Sequence, residues 1–261
     1  MKIAITGKGG VGKTTFTSIL CRVFADEGNR VFAVDADPDD NLALALGFPQ
    51  EIIDNIVPIS KMKELIEERT ACSLGGFGKM FKLNPRVDDI ENEHSHKFNE
   101  INLLNLGTVD KGGEGCYCPE NVLLKKLISH LILENKEIMI MDMEAGIEHI
   151  GRGVAKGVDA FIVVVEPGIR SIQTYQKVKK MALDIGVERV FAVANKVRNE
   201  EDIEYIKENI NKDDILGAIH YNEEIVDSDR RESSPYDLCK RTVTEVKDIK
   251  KKLLDMVSKG S

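Results

Sequence analysis

Near the start of the chain, Gly7-Lys8-Gly9-Gly10-Val11-Gly12-Lys13-Thr14-Thr15 carries the densest chemistry in the sequence. Glycines at this spacing let the backbone turn so that successive N–H groups converge where phosphate oxygens can sit. The run follows an apolar stretch, Lys2–Thr6, and opens an amphipathic one at Lys13. It therefore lies between a strand and a helix N-terminus, whose partial positive charge also favours an anion. This is the context of a P-loop, and it makes Gly9, Gly10, Val11, Gly12, Lys13, Thr14 and Thr15 candidate nucleotide-binding residues. Lys13 would reach the β- and γ-phosphates, and the Thr14 hydroxyl would ligate Mg²⁺.

Carboxylates end two further apolar runs. Val34-Asp35-Ala36-Asp37-Pro38-Asp39-Asp40-Asn41 closes one, at the C-terminal edge where a doubly wound sheet binds ligands. Ile138-Met139-Ile140-Met141-Asp142 has the Walker B pattern, placing Asp142 to hold Mg²⁺ through water. Asp35 is expected to assist that shell, and Asp39 to be a solvated turn residue. A third run, Val190–Ala194, leads into Asn195-Lys196-Val197-Arg198. A guanine site of the NKxD type would want aspartate where Arg198 stands, so adenine is expected, with Asn195 the candidate contact to the base edge.

A second lysine, Lys8, has no obvious phosphate to meet within one chain, because Lys13 already serves. With it the loop resembles the deviant Walker A signature, KGGVGKTT, of the MinD/nitrogenase-iron-protein class of ATPases. The resemblance implies that Lys8 crosses a homodimer interface to the partner's nucleotide and supplies charge there as an arginine finger does elsewhere. It also implies that Asp37 is the switch I aspartate that orients or deprotonates the attacking water. Glu144-Ala145-Gly146 resembles switch II.

The most specific remaining feature is Gly112-Gly113-Glu114-Gly115-Cys116-Tyr117-Cys118-Pro119-Glu120-Asn121. Two thiols at CxC spacing can grip one metal ion, but a soft tetrahedral site wants four ligands. A two-fold dimer would bring four together on its axis. Pro119 suits the first turn of a helix, so Cys118 would lie at its N-terminus, where the dipole favours thiolate. The alternative is a pair of incidental or packing cysteines.

Together these motifs resemble the CooC-type nickel-insertion ATPases, accessory factors for carbon monoxide dehydrogenase with relatives serving acetyl-CoA synthase. The resemblance implies an ATP/ADP- and Mg²⁺-dependent ATPase whose dimer holds Ni²⁺ or Zn²⁺ at Cys116 and Cys118 and meets a client nickel enzyme. One rival is a MinD-like, membrane-associated partition or positioning ATPase. It draws on the last helix, where Val243, Val246, Ile249, Leu253 and Leu254 share a face ringed by Lys247, Lys250, Lys251 and Lys252. Such a helix more often packs as the final helix of its domain, and this reading gives the CxC loop no task. A second rival is an iron–sulfur electron-transfer protein using Cys72 with Cys116 or Cys118, which the CxC pairing does not match.

The elements that must position these groups follow from periodicity. Valine- and isoleucine-rich runs at Lys2–Thr6, Arg30–Asp35, Ile101–Leu106, Glu137–Asp142, Ala160–Glu166, Arg189–Ala194 and Ile215–Ile219 alternate with helical patterns. That order predicts an α/β fold, a doubly wound, mostly parallel sheet flanked by helices. One domain is expected over 1–261, with an irregular elaboration at about 49–100 beside the sheet and a metal-binding loop at about 112–121. In the first helix, Lys13–Glu27, Phe16, Ile19, Leu20, Val23 and Phe24 share a face, and Gly28 is placed to end it. The net charge of −8 offers no basic excess for nucleic acid, and the longest apolar run is too short to span a bilayer. Five cysteines without a leader argue against a disulfide framework and for a cytoplasmic location. His94 and His96 read as surface residues, His220 as a residue near the nucleotide rim, and Cys21 and Cys239 as packing residues.

Overall fold

The computed structural model describes residues 1–37, 39–72, 81–107, 118–134, 137–144 and 157–258. Its strands are β1 (Lys2–Gly7), β2 (Val31–Ala36), β3 (His96–Phe98), β4 (Ile101–Asn105), β5 (Ile138–Met143), β6 (Ala160–Val165), β7 (Val190–Val197) and β8 (Ile215–His220). They form one sheet in the order β3-β4-β2-β5-β1-β6-β7-β8. All neighbours are parallel except β3, which pairs antiparallel with β4.

Both faces of the sheet are covered, which is why its central strands read as unbroken apolar runs. On one face Ile3, Ile5, Val31, Ala33, Ile162 and Val164 pack against α1 (Lys13–Asp26) and the C-terminal helix. On the other, Phe32, Val34, Met139, Met141, Phe161 and Val163 meet the helices Pro119–Glu134 and Ile169–Asp184. Alternate residues of one strand thus belong to different cores.

Helix α1 ends as expected. Gly28 takes φ 85°, its N–H bonds the Ala25 carbonyl at 2.9 Å, and the Asn29 N–H bonds Phe24 at 3.2 Å, a Schellman pair that satisfies the last carbonyls.

The described part of the segment 49–100 packs against the sheet and extends it. Ile59, Ile66, Val87 and Ile90 enter the same core as Leu123 and Leu127, and His96–Phe98 extends the sheet by an edge strand. That strand was missed because three residues are too short to show a period. The C-terminal helix, Lys240–Ser258, spends its apolar stripe internally: Val243, Val246, Ile249 and Leu253 are buried against β8 and α1, and only Leu254 of the predicted face is exposed. Among the described residues no helix is long and apolar enough to cross a membrane.

Candidate nucleotide and metal site

The P-loop leaves β1, the strand at the middle of the sheet between β5 and β6, and runs directly into α1. Its turn depends on glycines with positive φ: 78° at Gly10 and 93° at Gly12. A Cβ at Gly12 would lie 2.4 Å from Asn195 Nδ2, so the site is closed to larger residues. Outward-facing carbonyls of the loop are held by β7. Asn195 Nδ2 donates to the Val11 oxygen at 2.7 Å, and the Lys196 ammonium donates to Gly10. A trans peptide is planar, so fixing a carbonyl also fixes the N–H on its far side.

Lys13 is nearly buried, and its Nζ lies 3.3 Å from Asp37 Oδ2. Asp37 in turn caps the bend that follows, accepting from the Asp39 N–H at 3.2 Å. This places Asp37 at the Lys13 end of the P-loop.

Asp35 and Asp142 are direct neighbours in the β2–β5 register and are both buried. Asp35 accepts from the Leu42 N–H at 3.1 Å and the Asp37 N–H at 3.2 Å. Burial, then the charge of Asp142, pushes its carboxyl up to about 7. Burial raises Asp142 to about 6, against the pull of Thr14 and Lys13. Asp142 Oδ1 accepts from Thr17 Oγ1 at 3.4 Å, while its Oδ2 is buried without a hydrogen-bond partner. Two adjacent buried carboxylates and an orphaned oxygen, with Thr14 close enough to lower the pKa of Asp142, suit a hard divalent cation. Mg²⁺ therefore fits the residues present at Thr14, Asp35 and Asp142.

Sequence reasoning missed three supporting groups. Thr17, one turn beyond Lys13, orients Asp142; Thr6 Oγ1 donates to the Glu144 carbonyl at 2.9 Å; and Lys196 anchors Gly10. The i+4 spacing from Lys13 to Thr17 was the one available signal. The Asn195 amide, expected at the base edge, also gives one N–H to the P-loop. Beside Thr14 and Thr15 opens a cavity of ≈ 370 Å³, walled by Asn41, Ala45, Ile225 and Asp229.

Lys8 is half-buried at the front of the loop, and its carbonyl accepts from the Val11 N–H at 3.3 Å. Cys118 directly precedes the helix Pro119–Glu134, and its carbonyl accepts the Val122 N–H at 3.1 Å. Cys116, Tyr117, Ala145 and Gly146 lie outside the described residues. Cys21, Cys72 and Cys239 are buried. His220 Nδ1 is 2.8 Å from Glu245 Oε1, an engagement with the last helix.

Residues 2–236 match the CobQ/CobB/MinD/ParA nucleotide binding domain. The carbon monoxide dehydrogenase accessory protein CooC of Rhodospirillum rubrum is 46% identical over 238 residues, spanning 91% of this chain and 90% of that one. An ATP-binding protein of Methanocaldococcus jannaschii is 45% identical over 252 residues, spanning 95% and 96%. Among solved structures, the MinC:MinD cell division complex of Aquifex aeolicus matches with a TM-score of 0.69 at 19% identity, over 98% of this chain and 96% of that one. At that identity the likeness shows the fold alone. The chain belongs to the CobQ/CobB/MinD/ParA nucleotide-binding family, as an ATP-binding P-loop ATPase of its CooC-like branch.

Proposed function

We propose that the protein is an ATP-driven metallochaperone that works as a homodimer, holds Ni²⁺ or Zn²⁺ between the Cys116 and Cys118 thiolates of two subunits, and assists nickel insertion into carbon monoxide dehydrogenase or acetyl-CoA synthase. The observation that carries this reading is the 46% identity to a carbon monoxide dehydrogenase accessory protein along nearly the whole chain. Cys118 at the mouth of a long helix supports it, because backbone N–H groups there favour a thiolate.

In this reading Gly9 to Thr15 cradle the phosphates and Lys13 leaves Asp37 to meet the γ-phosphate. Asp37, released, orients the attacking water. Bound Mg²⁺ would neutralise charge on the β- and γ-phosphates. Thr14, Asp35 and Asp142 would hold it, Asp142 through water, with Thr17 fixing the Asp142 rotamer. Lys8 of each subunit reaches the other's nucleotide, so triphosphate draws the two metal loops together and hydrolysis separates them. Asn195, held to the P-loop through its amide nitrogen, offers its carbonyl oxygen to an adenine amino group.

The test is maturation of a nickel-free client enzyme. Client, Ni²⁺ and ATP are incubated with the parent protein, with Lys13→Ala, or with Cys116→Ser/Cys118→Ser. Activation by the parent and by neither variant supports the proposal. Equal activation by the cysteine variant overturns it.

A further inference from the structure

We infer that Lys196 is a positioning residue that sets the tip of the P-loop and, through it, the presentation of Lys8. Its ammonium donates to the Gly10 carbonyl. The N–H of that same peptide unit, on Val11, donates to the Lys8 carbonyl at 3.3 Å. One peptide plane is therefore bonded at both ends, to Lys196 behind and to Lys8 in front. A carbonyl bonded to a cation makes its own N–H a better donor, so the two bonds strengthen each other. Turning this plane would release Lys8 from its place.

The strand is distorted to deliver that ammonium. Lys196 has φ 57°, uncommon for a residue with a side chain, and the β7–β8 register slips between Ala194 and Val197. Of the residues in β7, Lys196 is the exposed one in an otherwise buried strand. The ammonium is steadied from the other side by Glu166 Oε2 at 3.7 Å, and the Glu166 N–H is tied at 3.1 Å to Ser171 Oγ on the next helix. The ends of β6 and β7 thus converge on one loop carbonyl.

The inference rests on the in-trans role proposed for Lys8, and the experiment separates the two. Steady-state ATP hydrolysis, ADP affinity and the unfolding midpoint are measured for the parent, Lys8→Ala, Lys196→Gly, Lys196→Arg and Lys8→Ala/Lys196→Gly. Glycine accepts the left-handed backbone without strain, so Lys196→Gly removes the ammonium without lowering the midpoint. The expected result is a fall in kcat of about tenfold with ADP affinity within about twofold of the parent, largely restored in Lys196→Arg. In the Lys8→Ala background, Lys196→Gly causes no further loss, because the two act as one unit. An unchanged kcat in Lys196→Gly beside a crippled Lys8→Ala overturns the inference alone, as does an equal additional loss in the double variant. A fully active Lys8→Ala overturns the in-trans role and the inference with it.

Discussion

The Lys13 ammonium and the Asp37 carboxylate form an ion pair at 3.3 Å in which both side chains are largely buried. The lysine that must meet the triphosphate is engaged by the residue expected to handle the attacking water. Phosphate oxygens would compete for the same ammonium, so in the proposed function nucleotide entry frees Asp37 as it captures Lys13.

Asp37→Ala therefore separates affinity from chemistry. Removing the competing carboxylate leaves ATP-analogue binding as tight as in the parent or tighter, while kcat falls by about 10²-fold for want of a positioned base. Titration calorimetry with a non-hydrolysable analogue and a phosphate-release assay check the two halves.

Asp142→Asn trades stability against metal binding. A neutral amide relieves the repulsion between Asp142 and Asp35 and leaves no unpaired buried charge, so the nucleotide-free protein gains about 1 kcal/mol. The extra stabilisation that Mg²⁺ gives to the ADP complex disappears. Thermal unfolding with ADP, with and without Mg²⁺, reads both effects, and a variant that keeps the full Mg²⁺ response contradicts the assignment.

Ile249→Ala tests where the last helix belongs. Ile249 is buried, and its side chain fills the space over Gly217 so closely that a Cβ there would lie 2.7 Å from Ile249 Cγ1. Truncation costs about 2–4 kcal/mol of unfolding free energy by denaturant titration. A helix meant for a lipid surface would lose vesicle binding and little stability instead.

Much of this arrangement is legible in the sequence, and the exceptions have physical causes. The central strands β1, β2 and β5 to β7 announce themselves because burial on both faces demands apolar runs, and α1 because its stripe faces a core. The edge strand His96–Phe98 pairs on one side only and carries no such pattern. The packing of 49–100 rests on four scattered apolar residues, Ile59, Ile66, Val87 and Ile90, that meet only through tertiary contact. At the site, motif spacing places Lys13, Asp37 and Asp142, since each ends or begins an element. The bonds from Asn195 and Lys196 to loop carbonyls cross more than 180 residues of chain and depend on a left-handed turn in β7. No local spacing encodes such a pair.

Thiol labelling distinguishes the cysteines. Burial pushes the thiols of Cys21 and Cys239 well above their ordinary range, and Cys72 is also enclosed. Among the four cysteines of the described residues, half-buried Cys118 is predicted to react first with a disulfide reagent in the folded protein, and Cys21, Cys72 and Cys239 only on unfolding. Prior addition of Zn²⁺ or Ni²⁺ protects Cys118. Mass spectrometry of digested, labelled protein locates the adducts, and equal labelling of Cys21 would contradict the packing.

The central claim, a metal shared between two subunits under nucleotide control, is tested most directly by metal content and molar mass on one sample. The protein is loaded with Ni²⁺ or Zn²⁺ in ADP or in an ATP analogue, then analysed by elemental analysis and light scattering beside Cys116→Ser/Cys118→Ser. The account predicts one metal ion per dimer, altered by the choice of nucleotide and lost in the variant. A nucleotide-driven dimer that binds no metal, or binds it equally well without the two cysteines, contradicts it.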